Sequence, residues 1–287
     1  YAVIAYASST VEVALILGPS TPPPLAVSIV RWMHDPDLER RFMASAAALA
    51  QVGVTFAAIA LWRAGEVLIA RLARPWLTGG GRAAGERLVP ALSAFGIACT
   101  VAAAAGGVLA LALWSFAGFW RFPDALPAAW SLRAWSLVAD APALFTNAAT
   151  VGLAAVAAAL LLAVGALEHE TRRRREAGAL ARLVLYLPLL VPAVAFLFGL
   201  VLLAEQAGVA PGPALVVAGH LVFVLPYVHL TLAEAYRRLD PRWSAVAHAL
   251  GASPGRAFVA IRLPMLSRAL LTAAAVGFAV SIGQYLP

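Results

Sequence analysis

The chain has 287 residues, of which 62% are hydrophobic and 12% charged, with a mean hydropathy of +0.86. Soluble domains carry about 25% charged residues, so this composition excludes a soluble globular protein and indicates a polytopic membrane protein. The net charge of +7 does not point to nucleic acid, because in a membrane protein the placement of charge matters more than its sum.

Taking ~20 apolar residues as one span, the sequence predicts an all-α transmembrane bundle with about seven segments, at 1–18, 42–62, 89–116, 143–167, 183–204, 213–233 and 266–286. Tyr1 and Pro287 both fall inside apolar runs, so the expectation is a piece of a longer protein. Thr78-Gly79-Gly80-Gly81-Arg82 lacks the G-K-[ST] ending of a phosphate-binding loop and a preceding strand. It reads as a flexible part of a linker over 63–88. The single cysteine, Cys99, lies in an apolar run and excludes an internal disulfide framework; its expected role is that of a small buried hydrophobe.

All 21 basic residues are Arg. Five fall between the second and third segments (Arg63, Arg71, Arg74, Arg82, Arg87), five between the fourth and fifth (Arg172 to Arg175, Arg182) and six around the sixth-to-seventh connection, so 16 of the 21 lie on one side. The positive-inside rule makes that side cytoplasmic. The run Arg172–Arg175 is read as a solvated loop that fixes orientation. Trp32, Trp114, Trp120, Trp130 and Trp135 gather at the outer edges and Trp62 and Trp76 at the inner ones, the distribution of an interfacial aromatic belt.

Little in the sequence suggests catalysis. The five His show no metal-ligand spacing, and no Ser/His/Asp set assembles on one element. His220 and His229 share a segment, but nine residues make two and a half helical turns, so they face apart and read as hydrogen-bonded interior groups. Glu12 is an ionisable group inside a segment, expensive unless it faces protein or water.

The informative stretch is Leu239–Pro264, LDPRWSAVAHALGASPGRAFVAIRLP, within a connection over 234–265. Asp240-Pro241 signals a helix start, giving a short helix over about 241–250. Gly251 supplies the backbone freedom that ends it, and Ser253-Pro254 starts a second short helix. That helix is expected to stop near Leu263, because Pro264 disfavours helical geometry before it. Such a bent pair suits docking into a groove on a soluble partner.

Gly251, Ile261, Leu263 and Pro264 stand at the spacing G-x9-I-x-L-P. With Leu250, Ala252, Ser253, Pro254, Arg256 and Phe258 around them, they resemble the second half of the cytoplasmic EAA loop of ABC importer permeases, consensus EAA-x3-G-x9-I-x-L-P. Where that family has Glu-Ala-Ala, this chain has Ala245-Val246-Ala247, which leaves out the acidic contact. The resemblance implies an inner-membrane permease subunit of a bacterial binding-protein-dependent importer. Asp240, Gly251, Ala252, Ser253, Pro254, Ile261, Leu263 and Pro264 would then form the surface gripped by a cytoplasmic ABC ATPase dimer, with ATP and Mg used by that partner and no cofactor bound by this chain. A periplasmic or extracellular solute-binding protein and membrane lipid are the other implied partners.

Tyr6-Ala-Ser-Ser-Thr-Val-Glu12 aligns with Phe278-Ala-Val-Ser-Ile-Gly-Gln284 at an offset of 272 residues, which suggests an internal repeat. The chain is therefore similar to fused, two-half permeases of the thiamine, iron(III) and polyamine cluster. On that resemblance, 1–62 holds the last two spans of a first half, 63–88 a cytoplasmic linker, and 89–287 the first five spans of a second half. Ser9, Glu12, Ser281, Gln284 and Tyr285 would line a path between the halves; the plainer reading is that they hydrogen-bond between helices. An ion-coupled secondary transporter would want acids or broken helices near the midplane of several spans, an integral-membrane enzyme a cluster of His or acids at one interface. A membrane scaffold without transport is the third alternative, and the transported solute is not legible.

Overall fold

In the computed structural model, residues 4, 7, 11–19, 21–79, 88–121, 124–189, 191 and 193–284 are described. The described residues are mainly helical, and among them the only extended pairing is an isolated antiparallel bridge between Ala117 and Trp130. Among the described residues, four helices are long and apolar enough to cross a membrane: α3 (Glu39–Thr78), α4 (Leu88–Ser115), α6 (Pro142–Arg173) and α9 (Pro213–Arg238). A fifth candidate is a bent pair in which Pro254–Met265 meets α13 (Ser267–Ile282) at 69°.

Of the expected segment 1–18, residues 4, 7 and 11–18 are described, and Glu12–Leu17 form a short helix, α1. The segment at 183–204 is divided into α7 (Ala179–Tyr186), a 3-10 turn at Leu187–Leu189 and α8 (Ala193–Gln206). The physical reason lies in Pro188, which removes a backbone donor from a run that is otherwise apolar enough to span. The residues at 63–78 continue α3 as helix up to Thr78, since no helix breaker cluster arrives before Gly79.

The chain divides into two compact units, Tyr1–Arg63 with Ala148–Pro287, and Ala64–Asn147. The first holds the main core, where α6, α9 and α13 pack on one another. α6 contributes Val156, Ala159, Ala163 and Leu167, α9 contributes Val224, Val228, Leu232, Ala233 and Tyr236, and Leu266 and Ala273 close the cluster. The alanines recur at four-residue intervals, so one face of α6 is small enough for a neighbouring backbone to come close. Gly277 of α13 does the same from the other side: a Cβ there would lie 2.8 Å from Val228 Cγ2 and 3.1 Å from Val224 Cγ1. Smaller clusters join α2 (Leu25–Met33) to α3 through Ile29, Met33, Ala44 and Ala48, and Val11 to Ala26 and Val27.

In the second unit, α4 has no buried residue. Cys99 is exposed on it, contrary to the buried role expected from sequence, because no described side chain covers that face. Beyond α4, residues 116–131 fold back: Ser131 N–H donates to Phe116 O at 2.8 Å and Gly118 N–H to Ala129 O at 2.8 Å. α5 (Arg133–Ala139) follows, with Trp135 Nε1 donating to Ser115 Oγ and its ring stacked on Phe116. Trp114 and Trp120 pack at 5.5 Å in the same region, so four of the five tryptophans expected at the outer edge, all but Trp32, gather at one end of this unit.

Candidate functional site

The connection between α9 and α13 is built by local signals, one after another. α9 ends at Leu239, whose backbone is extended. Asp240 Oδ1 then accepts from Arg242 N–H at 2.9 Å, which satisfies one of the unpaired donors of α10 (Arg242–Ala249). Gly251 ends α10 in the left-handed region at φ +83, with its N–H donating to His248 O and the next N–H, of Ala252, to Ala247 O. A side chain at 251 would be strained in that conformation. Ser253 Oγ accepts from Arg256 N–H at 3.3 Å and caps α11 (Pro254–Ala257), as the Ser-Pro pair predicts.

The expected stop at Leu263 does not occur. The chain passes through a π-helical turn at Phe258–Arg262 and a last turn, α12 (Leu263–Met265), and breaks at Leu266 instead. The wider turn relieves the helix just where Pro264 offers no N–H, so the proline displaces the break rather than making it. Leu266 is 2% exposed and seats the bend in the α6/α9/α13 core.

α10 has two faces. Ser244 and Ala247 are buried, whereas Trp243, Val246 and Leu250 are 56%, 55% and 83% exposed. These three recur at helical spacing, an apolar stripe turned away from the chain's own core. Ala245 is exposed as well. Of the other motif residues, Ile261 and Leu263 are half-buried, and Gly251, Ser253, Pro254 and Pro264 are exposed.

The inner face of this connection rests on a polar node that the sequence reading did not find. Arg262 Nε donates to Ser244 Oγ at 2.9 Å, and another nitrogen of the same guanidinium donates to Glu168 Oε2 at 2.9 Å. The other carboxylate oxygen of Glu168 accepts from Arg172 Nε at 2.7 Å. The side chains of Arg262 and Glu168 are only 14% and 11% exposed. A cavity of about 30 Å³ adjoins the node, lined among others by Thr171, Tyr236, Ser244 and Arg262. It has room for about two waters. The buried Tyr236 hydroxyl has no hydrogen-bond partner among the described residues.

Of the expected path residues, Ser281 and Gln284 are the two whose side chains are described. Ser281 is buried and its hydroxyl meets His220 Nδ1 at 2.7 Å, joining α13 to α9. Gln284 follows the end of α13 and is half-buried. Glu12 begins α1, while its side chain, Ser9 and Tyr285 lie outside the described residues. His229 Nδ1 meets Tyr186 Oη at 3.0 Å. The two histidines of α9 thus serve different neighbours, in keeping with their half-turn offset. Among the described residues no cluster of His, Cys, Asp or Glu is placed to hold a metal ion.

Residues 155–287 match the family of binding-protein-dependent transport system inner membrane components. Over its whole length the chain is 31% identical to the inner membrane ABC transporter permease protein YnjC of Escherichia coli K12, of which it covers 50%. Over 168 residues, 53% of the chain, it is 30% identical to the molybdenum transport system permease ModB of Mycobacterium tuberculosis, covering 63% of that protein. Over 65 residues it is 38% identical to a probable sulfate transport system permease, cysT, of Anthoceros angustus, with 22% of this chain and 23% of that one aligned. The chain thus spans about half the length of the Escherichia coli relative.

Proposed function

We propose that this chain, a homologue of ABC transporter permeases, is a membrane permease subunit of a binding-protein-dependent importer whose coupling loop is the connection 234–265. Its homology to inner-membrane permeases and its helices of spanning length make it a multi-pass inner-membrane protein. The observation that carries the proposal is the two-faced α10. Its inner side is fixed to the bundle through Ser244, while Trp243, Val246 and Leu250 present an apolar stripe outward. A helix with its apolar anchors at this spacing is suited to a hydrophobic groove on a partner.

The partner in this reading is a cytoplasmic ABC ATPase dimer, which uses ATP and Mg; this chain supplies no catalytic group. A solute-binding protein on the other side delivers the solute, and rocking of the membrane helices switches access to a central path. Ser281 and Gln284, with Ser9, Glu12 and Tyr285, are the proposed lining of that path. The finer assignment to the fused thiamine, iron(III) and polyamine type rests on the G-x9-I-x-L-P spacing and the short internal repeat. If Glu12 lines the path, a cationic solute suits it, and Glu12→Gln is expected to lower uptake of that solute. Ala245 in place of the family's glutamate means that the docking depends on apolar contact more than on charge.

The test is co-purification of the full-length protein with the ATPase encoded beside it, for wild type and Val246→Arg. Val246 is exposed, so the charge leaves the fold intact while spoiling the stripe. Loss of the ATPase from the variant alone is the expected result. Equal recovery in both preparations would refute docking at α10, and absence from both would favour an ion-coupled transporter or a scaffold.

A further inference from the structure

The exposed stripe accounts for how a partner holds α10, but not for how a displacement of α10 reaches the membrane helices. The backbone leaves the loop through weak points at both ends: Leu239 is extended, and the chain bends by 69° between Pro254–Met265 and α13. Neither junction continues a helix axis. Side chains provide a stiffer route. Arg262, on the π-helical turn, ties the two limbs of the loop together through Ser244 and ties both to α6 through Glu168, a residue 94 positions away. The pair is largely withdrawn from solvent, where a charge-assisted bond is screened little and keeps its strength. Surface pairs such as Arg238–Glu234, 78% and 60% exposed, are worth little by comparison.

We propose that Glu168 and Arg262 are positioning residues that lock the loop 234–265 to α6, so that α6 is the helix driven when a partner moves α10. Such a lock is all-or-none. Separating the two leaves the Arg262 guanidinium without its counter-ion in a mostly buried site, while Glu168 keeps Arg172, so the node resists small displacements and yields only as a whole. α6 is also the helix whose small-residue face, at Ala155, Ala159 and Ala163, packs into the core, so motion of its cytoplasmic end is passed to α9 and α13 through close contact.

The lock itself is tested without any partner, whereas its role in transmission rests on the ATPase reading above; two measurements separate these. In the full-length protein in liposomes, with Cys99 replaced by Ser, spin labels at His169→Cys of α6 and Ala249→Cys of α10 report the loop's position. Both sites are exposed. A narrow distance distribution is expected, broadening in Glu168→Gln and in Arg262→Met; unchanged distributions in both variants overturn the lock. In the second measurement, the same variants are reconstituted with the ATPase and the binding protein. ATPase recovery is expected to match wild type while solute-stimulated hydrolysis falls by ~10-fold or more. A broadened loop with undiminished stimulation overturns the transmission role. If wild type binds no ATPase, the importer reading fails, while the distance measurement still decides the lock.

Discussion

α4 and α6 are both long, apolar helices of membrane-spanning length, yet they are packed in opposite ways. α6 buries Gly152, Ala155, Val156, Ala159, Ala163, Leu167 and Glu168; α4 buries nothing, although it too carries a small-residue run with Gly106 and Gly107, and nothing among the described residues lies within 4 Å of a Cβ added at either glycine. Apolarity sorts a helix into lipid and small side chains permit close approach, but neither determines a contact. That requires a complementary surface. Gly277 has one in Val224, Val228 and Val156, and within its own unit α4 has none.

The contrast can be broken at its strongest point with Gly277→Leu. A branched side chain would enter space already filled by two valines of α9, an overpacking cost of about 3 kcal/mol or more. The protein is expected to lose its cooperative melt in detergent, or to melt far below wild type. At the loop, Ser253→Ala removes the α11 cap at a cost of about 1 kcal/mol. Hydrogen exchange should then speed up at the Arg256 and Ala257 amides while the overall melt stays close to wild type. The smallest effect belongs to Gly107→Leu, expected within about 0.5 kcal/mol of wild type in the same melt. If it proved as damaging as Gly277→Leu, α4 would have a partner surface in the full protein, and the contrast would belong only to this part of the chain.

Much of the connection 234–265 was legible because its signals are local. Asp240, Gly251 and the Ser253-Pro254 pair act on residues one to four positions away, and the bounds of α10 and the start of α11 follow from them. Pro264 was misjudged because proline reports only that an N–H is missing; whether the helix stops or widens into a π turn depends on what the next residues bury, here Leu266. Glu168 was missed for a different reason. In sequence it is one acid in LEHETRRRR, indistinguishable from Glu170, and only folding brings it to an arginine 94 residues on. The available hint was Arg262 itself, a cation between the half-buried Ile261 and Leu263. The span count was less legible, since a twenty-residue apolar window is blind to a break within it, as at Pro188.

The 69° bend at Leu266 has a mechanical consequence. The segment Pro254–Met265 and α13 are two arms of a crank whose pivot, Leu266, is held in the core. Because the arms lie closer to perpendicular than to parallel, a thrust along the outer arm has its larger component across the axis of α13. The span is tipped more than it is slid, and its far end, near Ser281 and Gln284, sweeps sideways about the anchored leucine.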